Sequence, residues 1–132
     1  MAQRNDYVWN YGDSYAFMEK VRKGMPPVII CVACNGGIQG KEYNENLPKT
    51  SDEIADSVYG AYQAGASMVH VHAREPKNLP APAKTPEVWY EVNQKIRERC
   101  PDIIINDTTG GGMDMTMGER LSCLEPSRRW PR

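Results

Sequence analysis

The apolar positions of this chain change period several times, and each change marks an element. Between residues 13 and 26, Tyr15, Phe17, Met18 and Val21 fall on one stripe of a helix. Asp13 or Ser14 is placed to cap it and Pro26-Pro27 to end it. Val28 to Ala33 is an unbroken, β-branched apolar run, which predicts a strand buried on both faces. A polar loop rich in Gly and Asn runs from Asn35 to Lys49. Thr50 and Glu53, three apart, then form a capping box. Ile54, Ala55, Val58, Ala61 and Tyr62 follow at helical spacing as far as Gly65, a left-handed stop. Ala66 to His72 predicts a second strand. A loop holding Pro76, Pro80 and Pro82 leads to Thr85-Pro86, a cap followed by proline at the first helical position. The helix it opens carries Val88, Trp89, Val92 and Ile96. Asp102 to Asn106 predicts a third strand, Thr108 to Gly112 a glycine-rich turn, and about Thr116 to Leu124 a last short helix.

The order β-α-β-α-β-α with buried strands predicts parallel βαβ units in an α/β fold. Three units make either a small open sheet or the first part of a (β/α)₈ barrel. In both, the active face lies at the carboxyl ends of the strands. The leader, residues 1–26, is expected to pack on a neighbouring surface or subunit and to carry no chemistry.

Charge and composition narrow the function. The 132 residues hold 16 Lys+Arg against 17 Asp+Glu, net −1, which argues against nucleic-acid binding. Mean hydropathy is −0.63, and no apolar run reaches the ~18 residues of a membrane span. The start MAQRNDYVWNYGD lacks the basic and apolar segments of a secretory signal, so a cytoplasmic location is expected. Cysteines stand at 31, 34, 100 and 123, and in a cytosolic chain they are not a disulfide framework. The pair Cys31-x-x-Cys34 invites a redox or zinc reading. It lies in a strand, however, where residues three apart face opposite ways, whereas a redox pair opens a helix that lowers a thiol pKa. A structural reading is favoured.

The chemically distinctive residues cluster at the predicted strand ends: Cys34 to Gly37, His70 to Glu75, and Asn106 to Gly111. His70-x-His72 holds the chain's two histidines. On a strand they share a face and can meet one ion, zinc or another first-row divalent metal, or they form a hydrogen-bonded structural pair. Thr108-Thr109-Gly110-Gly111-Gly112 offers hydroxyls and close backbone N–H groups suited to a carboxylate or phosphate. It has neither G-x-G-x-x-G spacing nor a P-loop lysine. Arg74 shares the histidine face and is a candidate for holding a substrate carboxylate, or for a salt bridge to Glu75 or Asp107. Lys41 and Glu42 lie in the long first loop and are within reach of the site, but a solvated loop charge is the favoured reading for each.

Taken in order, Asn46-Leu47-Pro48, Thr50, Ala64-Gly65-Ala66, His70-x-His72-x-Arg74-Glu75 and Thr108-Thr109-Gly110-Gly111 resemble the β-keto acid cleavage enzymes, over roughly residues 27–125. The resemblance implies a zinc-dependent (β/α)₈ TIM barrel, a cytoplasmic homo-oligomer. Such an enzyme condenses a β-keto acid with acetyl-CoA to give acetoacetate and a new acyl-CoA. It places zinc on His70 and His72, a substrate-contacting hydroxyl at Thr108 and a substrate-binding backbone position at Gly111. The third zinc ligand, a glutamate, and the catalytic arginine and aspartate are expected in a second half of the barrel, which lies outside these 132 residues.

Two departures modify the expectation. Ile38 aligns with a glutamate that reads the substrate's amino group in the lysine-fermentation enzyme, which points to a less cationic β-keto acid unless Glu42 substitutes. After Leu124-Glu125 the family continues Pro-Glu-Met-Ala-Ser, whereas this chain ends Arg128-Arg129-Trp130-Pro131-Arg132. A one-base change of frame through those codons restores the family's residues. Residues 126–132 are therefore expected to be an aberrant tail from a frameshift, and the chain a truncated, inactive form that is marginally stable or aggregates. The rival readings are another metal-dependent aldolase or hydrolase on the same barrel, and a non-catalytic truncated paralogue that pairs with an intact subunit.

Overall fold

A computed structural model describes residues 12–24 and 28–125. The expected helix stop at Pro26-Pro27 and the tail 126–132 lie outside those residues. The first helix, α1 (Ser14–Lys23), is capped by Asp13, whose carboxylate accepts from the amides of Tyr15 and Ala16 at 3.0 Å each. Its apolar stripe buries nothing among the described residues.

Three parallel strands follow in chain order across one sheet: β1 (Cys31–Ala33), β2 (Met68–Val71) and, after a hairpin, β5 (Ile104–Asp107). Their register sets Ala33, His70 and Asn106 side by side, and Cys31, Met68 and Ile104 two residues earlier. The connections are α2 (Ser51–Gln63) and α3 (Pro86–Arg99). The capping box that opens α2 is complete, with Thr50 accepting from the Glu53 amide and Glu53 from the Thr50 amide. Gly65, at φ +100°, turns the chain out of it. Proline at the first position opens α3, though the Thr85 hydroxyl makes no capping bond.

Both helices cover the same side of the sheet. Ile54, Ala55 and Val58 of α2 and Trp89, Val92 and Ile96 of α3 close over Val69, Val71 and Ile103, with Cys100 and Cys123 at the margins. Each fully buried Ile or Val here contributes about 1.5–3 kcal/mol. The opposite side of the sheet is open, and that corrects the expectation of a first strand buried on both faces. Val28, Ile29 and Ile30 precede β1, and they are half to two-thirds exposed, as is Ile104. A strand is buried twice only when elements cover both faces, and here the helices cover one.

The proline-rich loop is a second correction. It forms an antiparallel hairpin of β3 (Arg74–Glu75) and β4 (Asn78–Pro82), with an irregular register at Arg74/Glu75. Prolines fit there because an outer strand need not donate on both sides. The last segment is split into α4 (Met117–Arg120) and a 3₁₀ turn at Ser122–Leu124. A capping box between Thr116 and Glu119 starts α4.

Candidate active site

At the carboxyl ends of β1, β2 and β5 the backbone itself is held by side chains. Asn35, buried just after β1, accepts from the His72 amide at 3.1 Å and donates to the His72 carbonyl at 2.8 Å. It thus continues the β1–β2 pairing with a side chain in place of a strand. Its amide also donates to the Pro48 carbonyl at 3.3 Å, tying down the long first loop.

The two imidazoles come together at this level, with ring centres 4.9 Å apart and planes near perpendicular. Nδ1 of His70 lies 2.6 Å from Asn106 Oδ1. A carboxamide oxygen only accepts, so Nδ1 carries a proton and Nε2 is the ring nitrogen left to face a ligand. Burial lowers the His72 pKa from its ordinary value, with smaller contributions from His70 and Arg74. His72 is therefore neutral at pH 7, the form a metal requires. Among the described residues no group of three His, Cys, Asp or Glu is placed to hold a metal ion. Two imidazoles are a donor type that a divalent cation takes, and the described residues add no third ligand to them.

Beside His72 opens a pocket of about 180 Å³, lined among others by Gly37, Ile38, Trp89, Thr108, Gly111 and Arg120. Thr108 enters it from the end of β5, its amide donating to the Val71 carbonyl at 3.0 Å. Its hydroxyl accepts from the Gly110 amide at 3.1 Å, which folds the glycine turn back on itself. Gly111 has φ +154°, and a Cβ there would meet Met115 Sδ at 2.6 Å, so the turn closes only on glycine. The Gly112 amide donates to the same sulfur at 3.3 Å. Two of the three glycine amides expected to cradle an anion are thus used inside the turn. Gly37 is closely packed but not strained: a Cβ would reach His72 Nδ1 at 3.1 Å and the ring would have to give slightly. Trp89 supports the wall, its indole N–H donating to Ser122 Oγ at 3.2 Å.

Arg74 has a different place from the one expected of it. It is 3% exposed, and its guanidinium donates to the carbonyls of Gly36, Gly37, Gln39 and Pro80. Both terminal nitrogens are engaged, so the forked edge that would grip a carboxylate is turned onto the first loop. No salt bridge to Glu75 or Asp107 forms among the described residues. Arg74 is a clamp that fixes Gly37 against His72. Lys41 pairs with Glu53, and Glu42 is exposed. Cys31 and Cys34 are free thiols, and burial raises the Cys34 pKa, the reverse of a redox pair.

Two groups carry no role of their own in the sequence reading, although Asp107 is named there as a candidate partner for Arg74. Asp107, the last residue of β5, points to the helix side, where Asn93 of α3 donates to it at 2.6 Å. Burial raises its pKa from the ordinary 3.8 to about 6, against the Asn93 bond and His70, which lower it. Asp107 Oδ1 and Asn93 Oδ1 are both buried without a partner among the described residues. Arg120 reaches the pocket from α4. The sequence predicts only a last short helix from about Thr116 to Leu124, and nothing in it links Arg120 to the strand ends.

A model of the beta-keto acid cleavage enzyme family matches residues 27–129. Over 101 residues the chain is 43% identical to a 3-keto-5-aminohexanoate cleavage enzyme of Fusobacterium nucleatum, covering 76% of this chain and 36% of that protein. It is 39% identical over 94 residues to a 3,5-dioxohexanoate:acetyl-CoA acetone transferase of Paraburkholderia graminis, covering 71% of this chain and 30% of that one. It is 36% identical over 85 residues to a 3-oxoadipate:acetyl-CoA acetyltransferase of Cupriavidus necator, covering 64% and 29%. The chain spans about a third of the length of these relatives.

Proposed function

The chain belongs to the β-keto acid cleavage enzyme family, and from that premise we propose that its strand ends form the substrate half of a β-keto acid:acetyl-CoA acyltransferase site, in which acetyl-CoA is the co-substrate and acetoacetate a product. The observation that carries this is the convergence of the His70–His72 pair with the pocket that His72, Thr108 and Gly111 line together. His70 and His72 would hold zinc, with a third ligand from outside the described residues. Bound there, the ion supplies Lewis-acid polarisation of a keto oxygen.

The chain's own groups do the rest. Asn106 fixes the His70 ring so that Nε2 is left for a ligand. His72 stays available as a ligand because burial keeps it neutral. The Thr108 hydroxyl donates to a substrate oxygen while it accepts from Gly110, an orientation that a rotatable hydroxyl reaches at little entropy cost. Trp89 and Met115 exclude water from one wall. The catalytic arginine and aspartate that the family implies have no counterpart among these groups, so turnover is expected to need residues beyond those described. A zinc (β/α)₈ barrel, a homo-oligomeric assembly and a cytoplasmic location belong to the same proposal. No helix of the described residues is long and apolar enough to cross a membrane.

The test is calorimetric titration of the chain with zinc, followed by an acetoacetate-release assay with acetyl-CoA and a panel of β-keto acids. Zinc binds the wild-type chain, and His70→Ala and His72→Ala each weaken it at least about 10-fold. Equal binding by wild type and both variants refutes the metal reading. Acetoacetate release by the 132-residue chain alone refutes the view that the reaction needs further residues.

A further inference from the structure

The pocket beside His72 is lined by no acidic side chain among the described residues, and Arg120 brings a fixed positive charge to its wall. Arg120 is held from behind: Nη2 donates to the Gly112 carbonyl at 2.8 Å and Nε to the Met115 carbonyl at 3.4 Å. A guanidinium carries five N–H donors in a rigid fork, so these bonds set the plane and leave the Nη1 side for a ligand. The nearby acids are ion-paired to another cation, although Asp114 also feels the Arg120 charge. Lys84 pairs with Asp114 at 3.0 Å and Glu119 at 3.7 Å. Among the described residues no carboxylate lies within ion-pair distance of Arg120. At the mouth stands Ile38, 94% exposed, which offers nothing to a cation.

We infer that Arg120 is the specificity-determining residue of the site: it receives the carboxylate of the acid, and the pocket selects anionic β-keto acids over neutral or cationic analogues. The inference rests on the β-keto acid reading above and adds to it the residue that reads the charge. A planar fork braced by two carbonyls meets a carboxylate with paired, charge-assisted hydrogen bonds, which a neutral amide of the same shape cannot match. The turn from Thr108 to Met115 then has a second purpose. By closing on Met115 it delivers Gly112 and Met115 carbonyls to the back of the guanidinium.

The experiment compares acetoacetate with acetoacetamide, which keeps the keto group and loses the charge, by calorimetry and ligand-observed NMR on the 132-residue chain. The wild type is expected to prefer acetoacetate by at least about 10-fold, the worth of one charge-assisted pair. Arg120→Gln erases that preference by weakening acetoacetate at least about 10-fold. A glutamine variant that keeps the preference overturns the role of Arg120 alone, since the site still reads the acid. A wild type that binds both compounds equally also overturns it, and one that binds neither overturns the β-keto acid reading as well. If the glutamine variant does not fold, the Arg120 Nε–H resonance of the wild type decides. It shifts with acetoacetate and not with acetoacetamide, and no shift with either refutes the assignment.

Discussion

Replacing Asp107 by asparagine should stabilise the chain at neutral pH and leave it unchanged in acid. Asp107 lies against Asn93, with one oxygen bonded and the other, like Asn93 Oδ1, buried without a partner among the described residues. As a carboxylate it brings two acceptors into a site that holds one donor, which is why burial lifts its pKa from 3.8 to about 6. At about 1.36 kcal/mol per pH unit, that rise is worth about 3 kcal/mol. The sign follows from linkage. A carboxyl whose folded pKa is raised binds its proton more tightly when folded. Its stabilising contribution is full below pH 3.8 and is lost as pH rises through about 6. His72 works in the opposite sense. Its pKa is lowered by burial, so its contribution is full above the ordinary 6.5 and is lost as pH falls. The wild-type curve alone is therefore a sum, and the difference between variant and wild type isolates Asp107. In Asp107→Asn the new carboxamide would offer an N–H to the bare Asn93 oxygen while still accepting from the Asn93 amide. Urea unfolding followed by circular dichroism should show a gap near zero at about pH 4, rising to about 2–3 kcal/mol in favour of the variant at about pH 8. A gap that does not change with pH, or one that favours the wild type in alkali, refutes the account.

Two further outcomes follow from single side chains. Arg74→Met leaves four backbone carbonyls, three in the first loop and one in β4, without their donor, so it should cost on the order of 3 kcal/mol in the same unfolding assay. It should also speed amide hydrogen exchange through residues 36–40, with Arg74→Lys intermediate; unchanged exchange there would show that the loop is held by something else. Thr50→Ala removes the capping hydroxyl of α2 and should cost about 1 kcal/mol by urea unfolding, and a loss within error would mean that Glu53, through Lys49 and Lys41, holds the helix start alone.

The elements most legible in the sequence were those whose signals are local. The Thr50/Glu53 box, the Gly65 stop, Pro86 and the Asp13 cap act within a turn of their own residue, and each has its predicted place. The hairpin at 74–82 was hidden because its alternation is short and its prolines read as a loop. Burial of the first strand was misread for a different reason. The run Val28–Ala33 records what the strand prefers to be covered by, and among the described residues one sheet face is open. That open face displays Ile104 beside the His70–Asn106 pair, which is where the inward side of a closed parallel barrel would lie.

The site shows the same division. His70, His72, Thr108 and Gly111 were visible because period two and strand order bring strand ends together whatever the loops do. Arg74 was assigned to the ligand because it shares that period. Its fate was decided instead by four carbonyls, those of residues 36, 37, 39 and 80, and no spacing rule announces where a loop will turn its oxygens. Arg120 is the converse case. It lies eight residues after Gly112 and enters the pocket because Gly111 lets the turn fold onto Met115. One arginine was thus removed from the pocket and another introduced by backbone carbonyls alone. An arginine read as a carboxylate ligand from sequence has to be tested first against the carbonyls within its reach, since a buried guanidinium whose two terminal nitrogens are taken by backbone has no fork left for substrate.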